Sequence, residues 1–100
     1  MSTDIAVKER STIKLKEPKK WNVIILNDDH TTVDFVIMLL QVVFGHSIES
    51  AKRITESVHT EGAGVAGVYD FEIAEVKAVD ATKMARENGF PLQIKIEKMD

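Results

Sequence analysis

The stretch Trp21-Asn22-Val23-Ile24-Ile25-Leu26-Asn27-Asp28-Asp29-His30-Thr31-Thr32-Val33-Asp34-Phe35-Val36 decides the fold. Its first six residues form a short β-branched and apolar run that predicts a central strand, and Asn27-Asp28-Asp29 supplies the turn that stops it. Thr31 then offers a hydroxyl to cap a helix, while Asp34, three residues on, fits a capping box and complements the positive helix end. A helix is predicted from about Thr32 to Phe44, apolar nearly all round. Such a helix has to be covered on most sides or leave an exposed apolar patch, and patches of useful size usually bind something.

Towards the C-terminus, Gly45-His46-Ser47 breaks the pattern and Ser47 is placed to cap a second helix, in which Ile48, Ala51, Ile54, Thr55 and Val58 recur at helical spacing. Gly62 suits the left-handed stop of that helix. Gly64 to Tyr69 reads as a second strand, and Asp70 caps a third helix to about Asn88 whose Ala74, Ala78, Ala81 and Ala85 form a stripe small enough to lie close on a sheet. Gly89 ends it, and Leu92 to Glu97 alternates apolar and polar as a half-exposed third strand. The order β-α-α-β-α-β with short connections predicts an α+β fold, a small two-layer sandwich with three helices on one face of a three-stranded, mainly antiparallel sheet.

Towards the N-terminus, residues 1–20 carry six Lys/Arg against three Asp/Glu and no aromatic residue, whereas residues 21–100 carry seven against thirteen. The first segment reads as a disordered basic extension and the second as one core domain, 100 residues being enough for one small core and not two. The acidic body repels phosphates and no aromatic is interleaved in the basic arm, so a nucleic-acid partner is not expected. The longest apolar stretch, Val33 to Phe44, falls short of the ~20 residues a spanning helix needs, and the first residues lack the apolar centre of a secretory signal, so no membrane is expected and the default compartment is the cytosol. Zero Cys excludes disulfides, thiol chemistry and sulfur-ligated zinc.

The densest polar cluster is Asn27-Asp28-Asp29-His30-Thr31, at a strand-to-helix turn where binding groups tend to sit. On residue type alone, Asx turns and capping account for it better than function does. Two carboxylates beside a His invite a metal reading, yet there is no calcium loop and no second His at ligand spacing, so no metal is expected. Ser47 or Ser57 with His59 lacks any nucleophile-elbow signature, and Gly62-Ala63-Gly64-Val65-Ala66-Gly67 has the letters of a dinucleotide fingerprint but opens a strand after a helix. His59, near the negative end of the second helix, is most simply a surface or capping residue.

Five motifs in register change that balance. Asn27-Asp28-Asp29-x-Thr31 before Phe35-Val36, Ala51 followed by Val58-His59-x-x-Gly62, Gly67-Val68-Tyr69 leading to Glu72-x-Ala74-Glu75-x-Lys77, Ala85-Arg86-Glu87-Asn88, and Pro91-Leu92 with a final Glu97 together resemble the ClpS family over residues 21–98. The resemblance implies an N-end-rule adaptor that binds the free α-amino group and bulky hydrophobic first residue (Leu, Phe, Tyr or Trp) of N-degron substrate proteins and hands them to the ClpA unfoldase of the ClpAP protease, with no enzyme activity and no cofactor. By resemblance, Asn27, Asp28 and His59 bind the α-amino group. That role suits an ammonium, which offers three donors and needs acceptors such as an amide carbonyl, a carboxylate and a neutral imidazole nitrogen.

The same resemblance lines the side-chain pocket with Leu26, Val33, Val36, Thr55, Val58 and Leu92, and places Asp29, Thr31 and Thr32 at the loop and pocket edge. It puts docking on the N-terminal domain of ClpA, or of a relative such as ClpC, at Glu72 and Lys77, and gives the basic extension a role in delivery. Three positions depart from the family pattern: Thr32 stands where Pro is frequent, Val33 where a Met guards the pocket, and Thr55 where another Met lines it. Losing two adaptable thioether side chains changes pocket shape, so altered selectivity is expected. A monomer is expected from size and acidity. Two other classes stay open at this point: a surface-binding module or Clp inhibitor with a degenerate pocket, and metal-assisted hydrolysis at Asp28, Asp29 and His59.

Overall fold

The structure, a computed structural model, describes residues 19–99. Its elements follow the predicted order: β1 (Trp21–Leu26), α1 (Val33–Val42), α2 (Ile48–Glu61), β2 (Ala63–Tyr69), α3 (Phe71–Glu87) and β3 (Gln93–Lys98). The sheet order is β2-β1-β3 with both pairings antiparallel, so the apolar β1 is the central strand, as its composition predicted. Opposite residues on paired strands share a face, so Val23 and Ile25 stand with Ile96 and Ile94, and this face carries the core. Ile24 points the other way, level with Lys95 and Val65.

All three helices pack over the core face, a two-layer α+β sandwich. Phe35, Leu39 and Leu40 of α1, Ala51 and Val58 of α2, and the Ala74-Ala78-Ala81-Ala85 stripe of α3 close it. The methyl-sized side chains of α3 let its backbone approach the sheet, as their spacing predicted. Just beyond α3, Phe90 packs against Phe35 with ring centroids 4.7 Å apart and the rings tilted, and Leu92 is buried in the core rather than opening β3. Gly64 lets β2 run against α2, since a Cβ there would stand 2.8 Å from a Val58 methyl.

Three local features differ from the reading of the sequence. The cap of α1 is Thr32, whose hydroxyl accepts the Phe35 N–H, and not Thr31; Asp34 stays in the first turn without completing a capping box. The reason is that Thr31 is taken by Asp28, which accepts both its N–H and its hydroxyl and holds it one residue short of the helix. Secondly, β2 has a register break between the pairs Val23–Gly67 and Ile24–Val65, leaving Ala66 as the extra residue of a β-bulge. His46, from the α1–α2 connection, faces the Ala66 carbonyl with Nε2 and Ser50 Oγ with Nδ1. A carbonyl only accepts, so the Nε2 proton is fixed towards Ala66 and Nδ1 is left to accept from Ser50. Thirdly, α1 ends at Val42, two residues before its apolar pattern does, and the carbonyl of its cap residue Val43 accepts from Lys77 Nζ at 2.8 Å.

The basic extension read over residues 1–20 lies, up to residue 18, outside the described residues. Lys20 already belongs with the body, because its carbonyl accepts the Met99 N–H at 2.9 Å. Among the described residues no helix is long and apolar enough to cross a membrane, and no group of three or more potential metal ligands is found.

Candidate functional site

The β1–α1 loop is shaped by one side chain. Asp28 Oδ1 accepts the N–H groups of His30 at 2.8 Å and Thr31 at 2.7 Å, while Oδ2 accepts the Thr31 hydroxyl at 2.7 Å. Burial alone raises the Asp28 pKa, but the Thr31 hydroxyl, the two N–H groups and the neighbouring His30 outweigh it, so the net shift is downward and the carboxylate is ionised at neutral pH. Oδ1 uses both lone pairs within the loop and Oδ2 only one, which leaves one acceptor position on a fixed carboxylate. The turn-chemistry reading and the binding reading of this residue are therefore compatible.

A second tie brings the loop to the end of α2. The Asn27 N–H donates to the Gly62 carbonyl at 2.9 Å, and Gly62, at φ 88°, is the left-handed cap that stops α2. His59 lies in the last turn of α2, three residues before that cap. One hydrogen bond thus sets Asn27 beside the helix end that carries His59, and both side chains are exposed.

Between the loop, the start of α1 and the end of α2 lies a cavity of about 390 Å³. Asn27, Asp28, Asp29 and His59 line its polar side, with Thr31 and Thr32 at the loop edge. Val33, Val36, Thr55 and Val58 line its apolar side. Thr55 is 5% exposed and its hydroxyl donates to the Ala51 carbonyl at 2.7 Å, so its methyl is the part left for the cavity. Val33 stands at the opening, 52% exposed. A concave site with an acceptor-rich rim and an apolar floor suits a ligand with an ammonium next to a hydrophobic side chain.

Not every residue read as site-forming reaches this wall. Leu26 ends β1 half-buried outside the lining, and Leu92 is 1% exposed in the core behind it. His30, which the sequence places in the polar cluster but not among the site residues, also lines the cavity. Glu72 and Lys77 lie away from the cavity, on α3. Glu72 is exposed in the first turn, whereas Lys77 is half-buried, bonded to Val43 as above and 6.0 Å from the centre of the Tyr69 ring.

Fold and site together define a small α+β module with a concave, acceptor-bearing cavity beside its strand-to-helix loop. Comparison with known proteins specifies it further. The family model "ATP-dependent Clp protease adaptor protein ClpS" matches residues 16–95. ClpS adapter proteins from Acetivibrio thermocellus and Wolinella succinogenes are 44% and 38% identical over 97 and 96 residues; the matches cover 97% and 96% of this chain and 98% and 94% of theirs. The structure of Agrobacterium tumefaciens ClpS2 bound to L-phenylalaninamide superposes with a TM-score of 0.80 at 38% identity, covering 83% of this chain and all of that one. This chain belongs to the ClpS family of Clp protease adaptors, proteins named as adaptors of a protease and not for a reaction of their own.

Proposed function

We propose that this protein is an N-degron adaptor: it holds the free α-amino group of a polypeptide between Asn27, Asp28 and His59, places the bulky hydrophobic first side chain in the adjoining cavity, and delivers the polypeptide to the ClpA unfoldase. The observation that carries the reading is the cavity itself, with the hydrogen-bonded Asp28 carboxylate, Asn27 and His59 at its rim and Val36, Val58 and the Thr55 methyl as its floor. The ligand of the Agrobacterium relative supports it, since L-phenylalaninamide combines an α-amino group, a hydrophobic side chain and an amide where a peptide would continue. No step is catalytic. The acceptors recognise the ammonium, and the apolar floor gains by removing the side chain from water.

Selectivity among first residues is assigned to Val33 and Thr55. Val33 is short and stands at the opening, so it leaves space beside the Cβ of the first residue and relaxes exclusion of Ile and Val. Thr55, shorter than the Met the family carries there, changes the depth available to aromatics. Delivery is assigned to Glu72 and Lys77 at the start of α3, as the docking site for the N-terminal domain of the unfoldase, and to the basic extension.

Fluorescence anisotropy tests this reading, with peptides differing only in residue one (Leu, Phe, Tyr, Trp, Ile, Val, Ala), each with a free and an acetylated N-terminus. Binding of bulky free-amine peptides and its loss on acetylation is expected. Failure of all of them to bind means the pocket is degenerate and returns the protein to the class of surface modules. For selectivity, Val33→Met is expected to weaken Ile and Val peptides relative to Leu; identical rankings in both proteins sink that part.

A further inference from the structure

A second depression adjoins the proposed first-residue cavity and has no role in the reading above. It is about 290 Å³ in volume and is lined by Val33, Ile37, Lys52, Thr55, Glu56 and His59. Three of these, Val33, Thr55 and His59, also line the first cavity, so the two share a wall. The others show its direction. Ile37 is one turn beyond Val33 on α1, and Lys52 and Glu56 precede His59 on α2, so the groove starts at His59 and runs along the seam of the two helices away from Asn27 and Asp28. Its floor is aliphatic, while the exposed Lys52 and Glu56 put one charge of each sign on its rim.

We infer that this groove is a subsite for the third residue of the bound polypeptide and takes an apolar side chain of Leu, Met or Phe size. The inference rests on the adaptor reading, which fixes where residue one sits. In an extended chain, side chains alternate between faces, and those of residues one and three lie on the same side, separated by about 7 Å. From Val33 to Ile37 the groove advances by four helical residues, about 6 Å along the axis. A chain anchored by its amino group at Asn27, Asp28 and His59, and leaving along the α1–α2 seam, therefore brings its third side chain over the groove while its second faces away. The opposite charges at the rim leave no net preference for acidic or basic residues, so apolar area decides. The chain thereby reads a bipartite signal, a hydrophobic first residue and an apolar third.

Anisotropy titrations of the full chain test this with free-amine peptides beginning in Phe, in which residue two or residue three is varied among Leu, Met, Ser, Asp and Gly. Leu or Met at position three is expected to bind about threefold to tenfold more tightly than Gly, with changes at position two staying within about twofold. Ile37→Ala is expected to erase the position-three preference while keeping the ranking at position one, because Ile37 does not line the first cavity. Should Ile37→Ala fold poorly, Glu56→Lys on the exposed rim serves: it is expected to create a preference for Asp over Ser at position three. A preference at position two in place of three, or equal affinities at position three, overturns the inference while leaving the adaptor reading intact. Failure of every free-amine peptide overturns both.

Discussion

The β1–α1 loop and the first turns of α3 both carry charged groups at the surface, and they are held in opposite ways. In the loop, the Asp28 carboxylate bonds to residues two and three positions away, so the turn fixes its own shape. On α3, Lys77 reaches 34 residues back along the chain to the Val43 carbonyl, and its position exists only once α1 and α3 have packed. A local network orders the loop by itself, so under the proposed function less ordering entropy is lost when a ligand binds. A long-range bond ties a surface residue to the integrity of the whole fold.

The contrast is sharpest at Asp28. Asp28→Ala is expected to weaken free-amine peptide binding about tenfold or more and to lower stability by about 1–2 kcal/mol, since three hydrogen bonds go but the freed N–H groups can turn to water. Peptide titration and urea melts read the two effects separately; unchanged binding breaks the claim that the loop is preorganised for the ligand. Acid provides an independent check. The folded pKa of Asp28 lies below its ordinary value of 3.8, so its contribution is fully present above that value and is lost as pH falls through the lowered one. The stability gap between the wild type and Asp28→Asn is expected to be open at neutral pH and to narrow below about pH 3.8; a gap that widens in acid refutes the assignment.

At the other region, Lys77→Met keeps the aliphatic stem and removes the ammonium. A loss of about 1 kcal/mol of stability in urea melts is expected, with peptide binding unchanged, because the lost bond caps α1 at the end remote from the cavity. A peptide-binding defect there would mean that the two regions are coupled. Thr32→Ala removes the cap next to the site and is expected to cost about 1 kcal/mol, whereas Thr31→Val leaves the cap and loses the Asp28 bond. Equal helix destabilisation by both would contradict the assignment of the cap to Thr32. The smallest effect is expected from Glu72→Gln, whose exposed carboxylate offers only dipole complementarity of a few tenths of a kcal/mol; it should leave melts and peptide titrations unmoved and weaken only binding to the unfoldase N-terminal domain.

The same contrast explains what could be read in the sequence. β1, the Ser47 and Asp70 caps, the Gly62 stop and the alanine stripe of α3 are written in local residue order, and the structure has them where that order places them. The shift of the α1 cap by one residue was hidden because Thr31 and Thr32 are equivalent until the Asp28 carboxylate chooses between them. The Ala66 bulge, the bond from Lys77 and the burial of Leu92 depend on partners far along the chain, and no periodicity announces them. At the site, residue types suggested only a turn; the register of five motifs suggested the ammonium, and the tie between Asn27 and Gly62 is what joins the loop to the helix end that carries His59.

His46 has a consequence for life in a crowded solution. β2 is an edge strand with no charged side chain between Ala63 and Tyr69, the kind of border along which a foreign strand can add itself. The bulge at Ala66 breaks the even spacing such a strand would need, and the imidazole occupies the carbonyl displaced there. A side chain drawn from the α1–α2 connection thus takes one backbone acceptor of this strand and, with the bulge, makes it a poorer template for a foreign strand than its uncharged sequence implies.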